Sequence, residues 1–193
     1  MAKFFGNLHL VLGVGLVAAI AVMACFTPDV ALDTNSVFRW LHVFFGILWI
    51  GLLYYLNFVQ VPTMPAIPAE QKGAITGHIA PKVFFFFRWS ALLTVVTGLV
   101  IATVSGYGHR ALTFAGANRH ENLIGLGMWL ALIMAFNVWF IIWPAQKKIL
   151  NLGASEATAE EKAAAAPRAL AASRINLLLS LPMIYCMVSA NLG

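Results

Sequence analysis

His42 is the residue whose type and setting most readily imply chemistry. It lies in "RWLHVFFGILWIG", Arg39 to Gly51, a stretch that is otherwise almost wholly apolar. An ionisable side chain inside such a segment is a functional-site hypothesis by default, because a lone charge is costly there. Neutral imidazole is the low-cost form, and it is also the form that ligates iron. Gly46 lies four residues on and Trp49 seven, which on a helix places all three on one face. A residue without a side chain one turn from the imidazole leaves room for a flat macrocycle. His42 is therefore expected as an axial ligand of haem b, with Gly46 and Trp49 beside the ring. The competing reading makes His42 a neutral group hydrogen-bonded to a neighbouring helix, and gives Gly46 to close helix packing.

Four further histidines and one arginine enter the same question. His120 directly precedes the fourth apolar run and is the candidate for a second metal ligand near His42. His78 sits at the lip of the third run, as a solvated loop residue or a ligand on the opposite side. Arg88, in "FFFFRW", either reaches back to lipid headgroups or pairs with a haem propionate. His9 and His109 read as interfacial and solvated. Asn137, Asn176 and Ser180 fall inside apolar runs and are expected to hydrogen-bond between helices. No Asp or Glu lies within a run, Glu121 being at a helix end, which argues against a proton-coupled pump or transporter. No zinc spacing, nucleotide fingerprint or hydrolase nucleophile is present. The lack of C-x-x-C-H excludes covalent c-type haem, and Cys25 and Cys186 read as free thiols.

The elements that must position these groups follow from composition. The chain of 193 residues is 61% hydrophobic and 10% charged, against roughly 25% charged in an average soluble domain. A core this small cannot hide so much apolar surface, so the lipid bilayer is its solvent. Five runs of about 20 apolar residues give an all-α, polytopic membrane protein: one integral domain, 1–193, with five transmembrane helices at about 8–26, 37–59, 83–104, 123–143 and 175–192. The second is expected to end before Pro62, the third at Gly106 and the fourth at Pro144; Pro182 predicts a kink in the fifth. The Ala-rich, charged stretch around 151–174 is expected to continue the fourth helix into water before folding back.

The net charge of +5 then reports orientation, not nucleic-acid binding. With the N-terminus in the cytoplasm, Lys3, Lys72, Lys82, Arg88, Lys147, Lys148, Lys162, Arg168 and Arg174 are inside. Only Arg39, Arg110 and Arg119 are outside. This predicts a bacterial inner-membrane protein with a periplasmic C-terminus, and sets His42 about one turn below the outer surface, on the side of His109 and His120.

Three stretches, "RWLHVFFGILWIGLLYYLNFV", "MAFNVWFIIWPAQKKIL" and "RINLLLSLPMIYCMVSAN", together resemble the membrane domain of the bacterial membrane-bound, cytochrome-c-fused urate oxidases. "FFRWSALLTVVTGLVIA" is similar to the intervening helix. More distant likeness exists to the copper-resistance membrane protein and to the haem-binding protoporphyrinogen oxidase of bacteria. In the urate oxidase family a periplasmic cytochrome c domain follows the membrane domain, whereas this chain ends at Gly193. His42 matches a histidine of the family; Ile175 and Asn191 stand where it has two others. The resemblance implies a b-type haem protein in electron transfer, with a periplasmic cytochrome c or a larger membrane redox complex as partner. Two alternatives remain open: a cofactor-free accessory subunit of such a complex, and an oxidase of urate or another small molecule that uses a separate cytochrome c.

Overall fold

The computed structural model describes residues 2–26, 33–153 and 156–190. Among these residues the regular structure is entirely helical. Five helices are long and apolar enough to cross a membrane: α1 (Leu8–Phe26), α2 (Thr34–Ala66), α3 (Ala69–Val104), α4 (Arg119–Ile149) and α5 (Ala159–Ser189). This is the five-span, all-α architecture that the hydropathy predicts. One helical turn, Ala2–Phe5, precedes α1, and a short helix, Gly108–Leu112, connects α3 to α4.

Helix α1 contributes no buried residue. The other four form two close pairs, α2 with α3 and α4 with α5, which touch each other more lightly. Small residues make each pair close. On α3 the buried face includes Ser90, Ala91, Thr94, Thr97 and Ala102. Its hydroxyls are satisfied within the helix: Ser90 Oγ donates to the Phe86 carbonyl and Thr94 Oγ1 to that of Ser90, both at 2.7 Å. Neither hydroxyl is then left bare where the backbones approach. On α4 a Cβ at Gly127 would lie 2.9 Å from Cys186 Cβ on α5, and one at Gly125 would overlap the Ala111 carbonyl. Cys186 is buried against that glycine, and both cysteines are free. Trp49, Leu53, Phe87, Met134 and Val138 fill the middle of the bundle.

The helices run further than expected. Proline was expected to end α2 and α4, because it lacks the N–H donor and its ring crowds the carbonyl four residues back. Instead each widens into a π-helical turn just before the ring, Leu56–Gln60 before Pro62 and Asn137–Ile142 before Pro144, and α3 does the same at Ile75–Ile79 before Pro81. The wider turn accommodates the ring and the missing donor, and the helix continues. Likewise α5 stays α-helical on both sides of Pro167 and Pro182.

The Ala-rich segment also falls elsewhere than expected. It begins α5 and does not extend α4. Helix α4 stops because Asn151 takes a left-handed conformation (φ 51°), the Leu152 N–H donating to the Lys147 carbonyl at 2.9 Å. That is a Schellman stop. Helix α5 then starts at a capping box between Thr158 and Glu161. Gly106 ends α3 as expected, by the same left-handed closure (φ 72°).

The polar residues expected to bond between helices do so. Asn137 Nδ2 donates to Asn176 Oδ1 at 2.9 Å, and Asn176 Nδ2 to the Met134 carbonyl at 3.0 Å. Ser180 meets the Tyr54 hydroxyl at 3.1 Å, and Asn57 Nδ2 donates to Ser173 Oγ at 2.9 Å. Ser173, Asn176 and Ser180 thus form a stripe on α5 that fastens it to α2 and α4. Asn57 and Asn137 both lie in π turns, and the carbonyls of Leu53 and Met134, one turn back, each accept an Asn amide. Asn176, wholly buried, takes part twice. Asn176→Leu is expected to destabilise the α4–α5 pair by about 1 kcal/mol, typical of buried polar contacts between membrane helices. Thermal unfolding in detergent would measure this; an unchanged midpoint would mean that the amides are idle.

Candidate functional site

At the end of the bundle that carries Arg39, Gly106 and Arg119, the two helix pairs part around a cavity of about 690 Å³. All four bundle helices line it. His42, Gly46 and Trp49 come from α2, Thr94 and Gly98 from α3, Met128 from α4, and Met183 and Met187 from α5. Its walls are overwhelmingly apolar. Arg39 and Tyr107 supply polar groups.

The imidazole of His42 is held from one side. Its Nδ1 lies 2.8 Å from the Thr94 carbonyl oxygen and 3.3 Å from Thr97 Oγ1. A carbonyl only accepts, so Nδ1 carries the proton and Nε2 carries the lone pair. Nε2 has no hydrogen-bond partner among the described residues, on a ring that lines the cavity. A protonated nitrogen fixed on a backbone carbonyl, with the other nitrogen unengaged, is the usual arrangement of a metal-ligating histidine. The expected bond to a neighbouring helix is therefore present, and so is space for a ring beside it.

Gly98 makes this placement possible, and the sequence reading missed it. A Cβ there would sit 2.9 Å from His42 Cε1 and 3.1 Å from Nδ1. The signal was available only as one more glycine in an apolar helix. Close packing is one reading of Gly46. Its Cβ would meet only Thr94 Cγ2, at 3.9 Å, an ordinary contact, so packing does not demand a glycine. Gly46 and Gly51 both line the cavity, where bare backbone leaves flat wall.

Trp49 is wholly buried, and its Nε1–H has no hydrogen-bond partner. It stands at the cavity wall. At the cavity's polar end, Arg39 donates to Asn35 Oδ1 at 3.1 Å, and Asn35 Nδ2 donates to Ser105 Oγ at 2.5 Å, tying the start of α2 to the end of α3. Burial raises the Tyr107 phenol pKa and Arg39 partly offsets this, so the hydroxyl stays protonated and can donate.

The other residues singled out from sequence lie away from the cavity. His120 is exposed in the first turn of α4 and His78 is exposed in the π turn of α3; neither lines the cavity. Arg88 also lies outside it. Its guanidinium stacks 3.7 Å over the Trp143 ring, with Phe85 and Trp139 each 5.8 Å away. The Trp139 indole N–H donates to the Arg88 carbonyl at 3.1 Å. Three aromatic rings thus surround this arginine. Asn191 falls outside the described residues. Among the described residues no group of three or more His, Cys, Asp or Glu is placed to hold a metal ion.

The connection over the cavity end is pinned. Arg110 grips Glu121 with two bonds, Nη2 to Oε1 at 2.7 Å and Nε to Oε2 at 2.9 Å. The Ala117 N–H also donates to Glu121, at 3.0 Å. Glu121, set aside from sequence as a helix-end residue, is thus the anchor of this connection.

Comparison with known proteins adds one finding, and it concerns the second helix pair. No curated protein and no solved structure matched the chain. The matched segment holds α4, α5 and one wall of the cavity, and two of the stretches that carry the resemblance; His42 and the α2–α3 pair lie outside it. Over residues 110–193 the chain is similar to the family described as urate oxidase N-terminal.

Proposed function

We propose that this chain is a membrane haem protein that holds haem b between its two helix pairs, with His42 as an axial ligand, and passes electrons. The observation that carries this reading is the state of His42: Nδ1–H fixed on the Thr94 carbonyl at 2.8 Å, and Nε2 unengaged, on a ring that lines a cavity of about 690 Å³. That volume falls among sites of about 300–1,000 Å³ that hold compact organic ligands. The donor set suits the group: one neutral imidazole, flat wall at Gly46 and Gly51, apolar sides, and Arg39 with Tyr107 at the polar end for acidic substituents. Bound haem supplies one-electron transfer, while the protein sets ligand and polarity. The excess of Lys and Arg in the connections opposite His42 supports a cytoplasmic N-terminus, with the cavity toward the periplasmic face. A periplasmic cytochrome c or a larger redox complex is then the natural electron partner.

Absorption spectra of the purified full-length protein, oxidised and reduced, test this. A Soret band with sharpened bands on reduction, and stoichiometric extractable haem, is expected. A colourless protein that copurifies with a large complex would instead support the accessory-subunit reading.

The family match at residues 110–193 favours a second reading, in which the chain oxidises urate or a related small molecule and passes the electrons to a separate cytochrome c. Urate-dependent reduction of added cytochrome c distinguishes it from electron carriage alone.

A further inference from the structure

The cavity is a seam between two helix pairs, and its ligating atoms are divided between them. Of the residues that line it, only His42, Tyr107 and three methionines carry a side-chain atom of a kind that binds haem iron. His42 and Tyr107 belong to the α2–α3 side; Met128, Met183 and Met187 belong to α4 and α5. Among the described residues no second histidine and no cysteine lines the cavity. Burial then selects among the thioethers. His42 stands eight residues inside the start of α2, and its neighbour Gly98 six residues before the end of α3. Met183 stands six residues before the end of α5. Met187 is a turn nearer the surface, its sulfur set 3.6 Å from where a Gly127 Cβ would be. Met183 is the buried one of the three, at 6% exposure.

We infer that Met183 supplies the second ligand, so that His42 and Met183 would hold the iron from opposite helix pairs. The inference rests on the haem reading above. It replaces His120, which the fold keeps away from the cavity. A thioether partner raises the reduction potential relative to a second imidazole, which suits a centre that delivers electrons to a c-type cytochrome.

The test uses the full-length protein loaded with haem b. The ferric wild type is expected to be low-spin and to show the long-wavelength charge-transfer band of a thioether–iron bond. Met183→Leu conserves volume; it should keep the Soret band and the haem content, lose the charge-transfer band, turn high-spin and bind carbon monoxide rapidly when reduced. Met183→His should restore a low-spin centre at a lower potential. Met128→Leu should keep the band. A haem-loaded wild type without the band, or a Met183→Leu variant that retains it, overturns the inference and leaves the haem reading intact. Absence of any Soret band removes both.

Discussion

Alanine at position 42 is expected to abolish haem retention, with haem affinity falling by more than about 100-fold. Changing a group that only orients a ligand ordinarily costs about 10–100-fold, and here the ligand itself is lost. The fold should survive. Thr94 O, which accepts from Nδ1, also accepts from Thr97 Oγ1 at 3.1 Å, so losing the imidazole leaves no orphaned acceptor. The ring already borders open space, so removing it enlarges a cavity without breaking a packed core. Extractable haem and Soret absorbance should vanish while size-exclusion behaviour and helical circular dichroism stay as in the wild type. An unchanged spectrum in His42→Ala would place the haem elsewhere.

The second large effect is expected at a residue with no side chain. Gly98→Ala adds a methyl 2.9 Å from His42 Cε1, closer than Cβ contacts are found. The imidazole is the movable partner, so it should swing off the Thr94 carbonyl while α2 and α3 stay paired. That removes the orientation of the ligand and keeps the ligand. A loss of about 10–100-fold in haem affinity is expected, with a shifted spectrum in the fraction that still binds. Titration of apoprotein with haem measures it. Gly46→Ala is the matched control: its methyl meets only Thr94 Cγ2 at 3.9 Å, so the imidazole keeps its place. Equal effects of the two substitutions would show that general crowding, and not the aim of His42, governs binding.

The second prediction and its control turn on glycines that look alike in sequence. Gly46 could be singled out because it follows His42 by one turn on the same helix, where 3.6-residue periodicity makes neighbours legible. Gly98 could not, because its partner is 56 positions away and on another helix. The same limit explains His120 and His78. Basic residues and hydropathy place His120 at the same end of the bundle as His42, but not at what distance or on which face. The helix stops show another side of it. Proline reads as an end, and Pro62 and Pro144 would be ends if an α-helix could not widen; the π turns at Leu56–Gln60 and Asn137–Ile142 admit the ring and carry the helix on.

Sequence alone determined that this chain is a bundle of five apolar helices, because a 61% hydrophobic composition in runs of about 20 residues has no other solvent than lipid. It also determined that His42 is the histidine set most clearly within a span, and that Asn137, Asn176 and Ser180 must find partners, because a bare polar atom is costly there whatever the fold. Tertiary structure decided the rest. It decided which carbonyl takes the His42 proton and hence which nitrogen keeps its lone pair. It decided that the two helix pairs part around a cavity at that imidazole, and that methionines and no second histidine face it from the other pair. Those are relations between helices, and they depend on how small residues such as Ser90, Thr94, Gly98 and Gly127 let backbones approach at some heights and not at others.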